Sequence, residues 1–410
     1  MSIKNEDPKI YKLITAEIER QQNTLDLIPS ENYCSEEVRE AMGSVLNDKY
    51  SEGYPGRRYY AGQVNIDQIE EIAKERALKI FKLSSQKWHA NVQSYSGSPA
   101  NIAIYYAFLE PGDKVMGMRL DQGGHITHGL PISLVGKIYK FISYGVDPKT
   151  EQLDYDEIAK IAKKEKPKMI VCGATAYSRI IDFKKLSEIA KSVNAYLFAD
   201  IAHIAGLIVG GAHPSCFPYV DVAMATTHKT LRGPRGAIII TRKEYAEKID
   251  KAVFPGTQGG PHEHQIAAKA ICFGEALDPE FKNYSKQIVK NSRALAKSLQ
   301  KLGFRIVSGG SDNHLMLVDL RSIKMTGKEA QLMLEEAGIV VNKNTIPNDP
   351  EKPFIGSGIR IGTPALTTRG MKEKEMDIIT GLISETLKKI KSKNAIQREV
   401  LKLCKKFPIN

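Results

Sequence analysis

No apolar run in this chain approaches the ~20 residues that a helix needs to cross a bilayer. The opening stretch, Met1-Ser2-Ile3-Lys4-Asn5-Glu6-Asp7-Pro8, lacks the apolar core of a secretory signal. No membrane association is expected, and a cytoplasmic location is. Cysteine is sparse and scattered: Cys34, Cys172, Cys216, Cys272 and Cys404 show no Cys-x-x-Cys spacing of a zinc or redox site. That speaks against a disulfide framework, in agreement with a reducing compartment, and no metal centre is expected. Internal repeats and low-complexity tracts are also missing. Net charge is +12, from 59 Lys+Arg against 47 Asp+Glu, so a nucleic-acid partner has to be weighed. The lysines are spread over helix faces, and no basic run is interleaved with aromatics as a stacking platform requires. No nucleic-acid partner is expected; the positive field suits anionic small molecules.

What is present is enough for two domains: 410 residues, 42% of them hydrophobic. Asp7-Pro8 reads as an N-cap and first turn, after which Tyr11, Ile14 and Ile18 share one face of a short helix. Residues 23–63, rich in Gly, Pro, Tyr and polar groups, read as a functional segment or an arm that grips a partner. From 65 to 279, strand-length apolar runs recur at Lys114–Met118, Lys137–Ser143, Lys168–Cys172, Ala195–Asp200, Val220–Ala225 and Ala237–Thr241. Helical spacing falls between them, as in Ile158, Ile161 and Ala162, and in Leu186, Ile189, Ala190 and Val193. This alternation predicts an α/β fold with a mostly parallel sheet covered on both faces. The remainder, 280–410, reads as a smaller α+β domain. In it a helix carrying Ile288 to Leu302 stops at Gly303, and short strands follow at Phe304–Ser308, Leu315–Leu320, Ile339–Asn342 and Ile359–Ile361. A last helix carries Met376, Ile379, Ile383, Leu387 and Ile390, and the Lys-rich tail after Lys388 is read as a solvated helix face. The expected division is an N-terminal helix and arm at 1–64, a large domain at 65–279 and a small one at 280–410.

The most informative stretch is Ala225-Thr226-Thr227-His228-Lys229-Thr230-Leu231-Arg232-Gly233-Pro234-Arg235-Gly236. It sets one lysine among hydroxyls, a histidine and two arginines, straight after an apolar strand. Alone, Lys229 would be a solvated lysine in a basic loop. Burial and neighbouring cations, however, lower an amine's pKa, and a neutral amine forms a Schiff base with an aldehyde. Upstream, the run Ala195–Asp200 ends in a carboxylate and continues to His203. Asp200 alone could equally cap a helix. With Lys229 it suits pyridoxal phosphate (PLP), whose ring nitrogen needs a carboxylate to stay protonated. Thr175, Asp200, His203 and Lys229 all fall at predicted strand ends, where an open α/β sheet binds ligands.

Around these residues the chain resembles the serine hydroxymethyltransferase family over nearly its whole length. The likeness runs through Leu27–Tyr33, Lys49–Tyr60, Ser96–Asn101, Gly123–Gly129, the Thr-Thr-His-Lys segment, Phe254–Pro261 and Ser357–Pro364. It implies PLP fold type I, a homodimer or tetramer, and conversion of serine to glycine with tetrahydrofolate or a related pterin. Ser96, Gly97 and Ser98 are implied as the phosphate cradle, with Gly259 and Gly260 reaching it from a neighbouring subunit. His125 is implied against the ring face, Asp200 at its nitrogen, and His203 and Thr175 near its phenolic oxygen. His228 and Arg235 flank the lysine; His128 is read as structural. Arg360, assisted by Ser30, is implied for the substrate carboxylate. Glu52 is implied as the acid/base group at the serine hydroxyl and the pterin, with Tyr50 and Tyr60 orienting substrate and cofactor. Tyr59, Asn344 and Phe354 fall where the family contacts the pterin. The chain departs from the family at Thr175, where serine is commoner, at Pro29 for a common alanine, and at Gln63–Asp67. The competing readings are another PLP enzyme, such as a threonine aldolase or an aminotransferase, and a non-catalytic nucleic-acid-binding protein on a retired enzyme fold.

Overall fold

The computed structural model describes residues 3–409; Met1, Ser2 and Asn410, at the ends of the expected segments, lie outside the described residues. Seven strands form the main sheet: β1 (Trp88–Asn91), β2 (Lys114–Met118), β3 (Lys140–Tyr144), β4 (Met169–Cys172), β5 (Tyr196–Asp200), β6 (Val222–Thr226) and β7 (Ala237–Arg242). Their spatial order is β1-β7-β6-β5-β4-β2-β3. Only β7 runs against its neighbours; β6, β5, β4, β2 and β3 pair in parallel. Side chains alternate between two cores, one on each face. In β5, Leu197 and Ala199 enter one core and Phe198 the other. A sheet buried on both faces explains why its strands read as continuous apolar runs.

Three strands differ from expectation: β1 is not among the expected runs, and the run Ile339–Asn342 is divided between two sheets. The segment Lys137–Ser143 is not all strand: Leu134–Ile138 is a helix capped by Ser133, whose hydroxyl accepts the N–H of Gly136, and β3 begins at Lys140. The cap residue outweighs the apolar run.

The small sheet has β8 (Arg305–Ile306), β9 (Leu315–Asp319), β10 (Asn342–Asn344) and β11 (Gly358–Gly362), antiparallel in the order β8-β9-β11-β10. The strand Leu25–Asp26 pairs in parallel with Ile339–Val340, and Leu25 and Leu27 join the core of this sheet. Helix Pro279–Lys301 serves both cores: Ile288 and Val289 pack into the large one, Leu295, Ala296 and Leu299 into the small one. The chain's last helix is not the one expected. Helix Glu373–Leu387 ends before Ile390, which is exposed, and a further helix, Lys393–Lys406, follows. That helix buries Ile396, Val400, Leu403 and Cys404, so the Lys-rich tail has one apolar face in the core and only the other in solvent.

Helix Pro8–Asn23 starts as expected, with Asp7 accepting the N–H of Ile10, but it buries none of its own residues. Tyr11, Ile14 and Ile18 are exposed, as are Ile10 and Leu13. Among the described residues no helix is long and apolar enough to cross a membrane.

Leu295 is fully buried where the shared helix enters the small core. Leu295→Ala is expected to lower stability by about 2–5 kcal/mol, read from urea unfolding; a loss under about 1 kcal/mol would contradict tight packing at this junction.

Candidate active site

The site assembles beyond the carboxyl ends of three neighbouring strands, β4, β5 and β6. Strand β5 ends on Asp200, which is buried. One carboxylate oxygen accepts the N–H of Ala202 at 3.1 Å. The other accepts from Asn101 at 2.9 Å and meets His128 Nε2 at 3.1 Å. Burial alone would raise its pKa. The hydrogen bond and charge of His128, the charge of His125 and the Asn101 bond outweigh that and hold the carboxyl well below the usual range. Gly173, just past β4, has φ +132°, and a Cβ there would lie 2.0 Å from the carbonyl of Asp200, so only glycine lets the two strand ends meet this closely.

Lys229 follows β6 on a turn locked by threonines. Thr226 Oγ1 donates to the carbonyl of Ala202 at 3.2 Å, Thr227 Oγ1 to that of Pro234 at 2.6 Å, and Thr230 Oγ1 to that of His203 at 3.1 Å. The Lys229 carbonyl accepts from Asn32 Nδ2 at 2.9 Å. Burial takes the Lys229 amine down to about 8; Asp200 opposes the shift, while Arg360 and Arg235 add to it. The unprotonated amine is the form that attacks an aldehyde, and an amine titrating near 8 offers more of it than an exposed lysine does.

Arg360, in β11, reaches over from the small domain. It donates to the Thr175 carbonyl at 2.8 Å and to Asn342 Oδ1 at 3.0 Å, and is 7% exposed. Burial lowers its pKa to about 10, and among the described residues no carboxylate pairs with it. A buried guanidinium lacking an acidic partner is poised for an external carboxylate.

Helix Gly97–Phe108 opens at the same pocket. Its N-cap, Ser96, makes no side-chain capping bond, and the buried Ser94 hydroxyl has no partner in the protein. A Cβ on Gly97 would come within 2.9 Å of Thr226 Cγ2. Bare N–H groups, free hydroxyls and a glycine at a helix N-terminus suit a phosphate.

The chain thus brings Gly97, His125, Thr175, Asp200, His203 and Lys229 into one pocket, with Arg360 at its Thr175 side. Ser96 and Ser98 flank Gly97 in the sequence. Ser30, His228 and Arg235 line an adjoining cleft with Asn32 and Tyr33. Burial takes His125 down to about 4 and His228 to about 3, so both are neutral near pH 7.

Tyr50, Glu52, Tyr59, Tyr60, Gly259 and Gly260 are not among the residues lining that pocket. They form a second cluster: a Cβ on Gly259 would lie 3.5 Å from Glu52 Oε1, and one on Gly260 would lie 3.3 Å from the Tyr50 ring. Tyr60 packs edge-on against Tyr50 at 5.1 Å, and Tyr59 against Phe254 at 5.8 Å. Tyr50, Tyr59, Tyr60 and Phe354 are exposed. Asn344 sits opposite Gly358 in the small sheet.

Sequence reasoning missed Asn101 and understated His128, which together hold Asp200. The signal for Asn101 was its place one turn into the helix that Gly97 opens. Asn32 and His314 were missed too, since their partners lie far off in the chain.

A lysine amine of lowered pKa, a buried low-pKa carboxylate and a glycine-opened helix N-terminus at adjacent strand ends fit PLP. With a large mixed, mostly parallel sheet, they define a PLP-dependent enzyme of fold type I. Residues 3–383, nearly the whole chain, match the family described as serine hydroxymethyltransferase, and the chain belongs to that family. It is accordingly a PLP-dependent hydroxymethyltransferase, interconverting serine and glycine with tetrahydrofolate as co-substrate.

In the cofactor-stripped protein, labelling of the Lys229 amine by reductive methylation is expected to reach half its maximum near pH 8. Exposed lysines should titrate near ~10.4. Peptide mass spectrometry across a pH series reads both, and a Lys229 midpoint like that of the exposed lysines would contradict the burial argument.

Proposed function

We propose how the residues divide the work of serine–glycine interconversion. Lys229 supplies the amine that holds PLP, Asp200 would hold its ring nitrogen, His125 its face, and His203 with Thr175 its phenolic side. Ser96, Gly97 and Ser98 would hold the phosphate. PLP, when bound, supplies the electron sink into which the Cα–Cβ bond of serine breaks. Arg360, with Ser30, binds the amino-acid carboxylate and so fixes which bond faces the sink. Glu52 moves the proton of the serine hydroxyl, and Tyr50 and Tyr60 orient it. His228 and Arg235 border the amine, where Arg235 helps keep it short of a proton. Tyr59, Asn344 and Phe354 hold the tetrahydrofolate that takes up the one-carbon unit. The single observation that carries this reading is the buried Arg360, without an acidic partner, beside a lysine whose amine sits near pH 8.

The working unit in this reading is a homodimer in the cytoplasm. Tyr50, Glu52, Tyr60, Gly259 and Gly260 of one copy complete the pocket of the other. In support, these residues cluster with one another and with exposed aromatics, away from the lining of their own chain's pocket. The exposed apolar face of helix Pro8–Asn23 offers surface for the same contact.

Lys229→Ala is expected to lose nearly all serine cleavage, and Glu52→Gln to fall by about 10²–10⁴-fold. Mixed under conditions of subunit exchange, the two inactive variants should recover about a quarter of wild-type turnover, because a hybrid dimer holds one intact site. Tetrahydrofolate-dependent release of glycine measures this. Absence of recovery, with hybrids verified by mass, would place Glu52 in its own chain's site.

A further inference from the structure

Next to the Lys229 pocket is a small enclosed cavity that shares Asp200 and His203 with it and is further lined by His213, Asn313 and His314. His203 follows β5 in the large domain, and His314 precedes β9 in the small one. Their rings stack at 5.3 Å, with His203 Nδ1 3.1 Å from His314 Nε2. Two more ring nitrogens belong to residues of this cavity, His314 Nδ1 and His213 Nε2. Both are buried and neither has a partner in the protein. The far end is fixed: His213 Nδ1 lies 2.8 Å from the Pro214 carbonyl, and since a carbonyl only accepts, that nitrogen carries the hydrogen.

All three rings are neutral near pH 7. Burial lowers each pKa. Lys229, Arg360, His314 and His125 depress His203 further; Arg360, Lys229 and His213 take His314 to about 3. For His213 the Pro214 carbonyl and Asp312 oppose the shift without reversing it. A neutral imidazole has one donor and one acceptor, so fixing one nitrogen fixes the other.

We infer that His203, His314, one internal water and His213 form a single hydrogen-bond relay ending on the Pro214 carbonyl, in which His314 and His213 are positioning residues for His203. The donors run one way: His203 Nδ1–H to His314 Nε2, His314 Nδ1–H to the water, the water to His213 Nε2, and His213 Nδ1–H to the carbonyl. A buried water needs 2–4 polar partners; His213 Nε2 is one acceptor, and His314 Nδ1 is the donor in the direction inferred. Without it, each nitrogen would bear an unpaid desolvation penalty. The relay leaves His203 Nε2 as a bare acceptor for the Lys229 pocket. Any effect on turnover rests on the proposed place of His203 at the cofactor; the tautomer does not.

Selective ¹⁵N labelling of the nine histidines in the holoenzyme reads the tautomer from the ring-nitrogen shifts, assigned with a His203→Asn variant. Wild-type His203 is expected in the Nδ1–H form. His213→Leu removes the acceptor of the water's hydrogen and should mix in the Nε2–H form. It should also lower kcat about fivefold, with KM for serine within about twofold. His213→Gln keeps an acceptor oxygen and should restore both. Wild-type His203 in the Nε2–H form, or a His213→Leu protein with tautomer unchanged, would overturn the relay. A shifted tautomer with kcat unchanged would support the relay and remove His203 from the chemistry. Should His213→Leu fail to fold, the wild-type reading alone still decides the direction of the donors.

Discussion

Desolvated positive charge without enough carboxylate to balance it is the constraint on which this molecule turns. Arg360 and Arg235 act on Lys229 in a pocket where Asp200 opposes the loss of the lysine proton. In water such charges would be screened within about a Debye length. Here burial removes the screening, and the consequences are consistent in sign. The lysine amine falls to about 8, the Arg360 guanidinium to about 10, and His125 and His203 stay neutral beside Asp200. A pocket of this kind is incomplete by itself. Such a pocket favours anionic groups, and by linkage any ligand that binds the folded chain stabilises it.

Topology is what makes the charges meet. Asp200 ends β5, and Thr175 and Lys229 follow β4 and β6; the three strands are neighbours in the sheet, so their carboxyl ends open on one point. Arg360 arrives from the other core, directly opposite Asn342 in the small sheet, and Asn342 takes one of its hydrogens. Asn32 ties the parts together: it donates to the Lys229 carbonyl and to Tyr284 of the shared helix, and accepts from Thr368 of the small domain. A shift of the small domain would therefore be felt at the backbone of the lysine itself.

Much of this was legible before any fold was in hand, for physical reasons. Strands buried on both faces leave apolar runs, and Asp200 and Lys229 stand out because charge at the end of such a run needs a use. The start of the run Lys137–Ser143 was misread because a single cap, Ser133, decided between helix and strand. The tail after Lys388 was misread because its lysines mask an apolar row, Ile396, Val400 and Leu403, spaced for one helical face. Asn101, Asn32 and His314 were out of reach for another reason. Each acts through a partner that chain folding alone brings near: Asn101 to Asp200, Asn32 to Lys229, His314 to His203. Spacing patterns record local geometry and carry no trace of such pairs.

Outside the lining of the Lys229 pocket, Tyr50 and Glu52 lie just before a short hairpin, Gly53–Tyr54 paired with Arg57–Arg58. Its tip is exposed, yet its base is anchored below the surface. Arg58 donates to Glu70 at 2.7 Å and Asp67 at 2.9 Å, Gln93 donates to Glu70, and the Ser51 hydroxyl donates to the buried Glu263. Beneath that network Lys269 donates to the carbonyls of Val92, Ser94 and Ala237. Ion pairs this deep add little net stability against apolar packing of equal volume. They do fix geometry, because each partner left alone would be a buried charge. The segment is held from below through Ser51, Arg58 and Glu70. Buried charge therefore does two jobs in this chain: unbalanced in the Lys229 pocket, it favours anionic ligands; balanced under the arm, it holds the groups proposed to act on them.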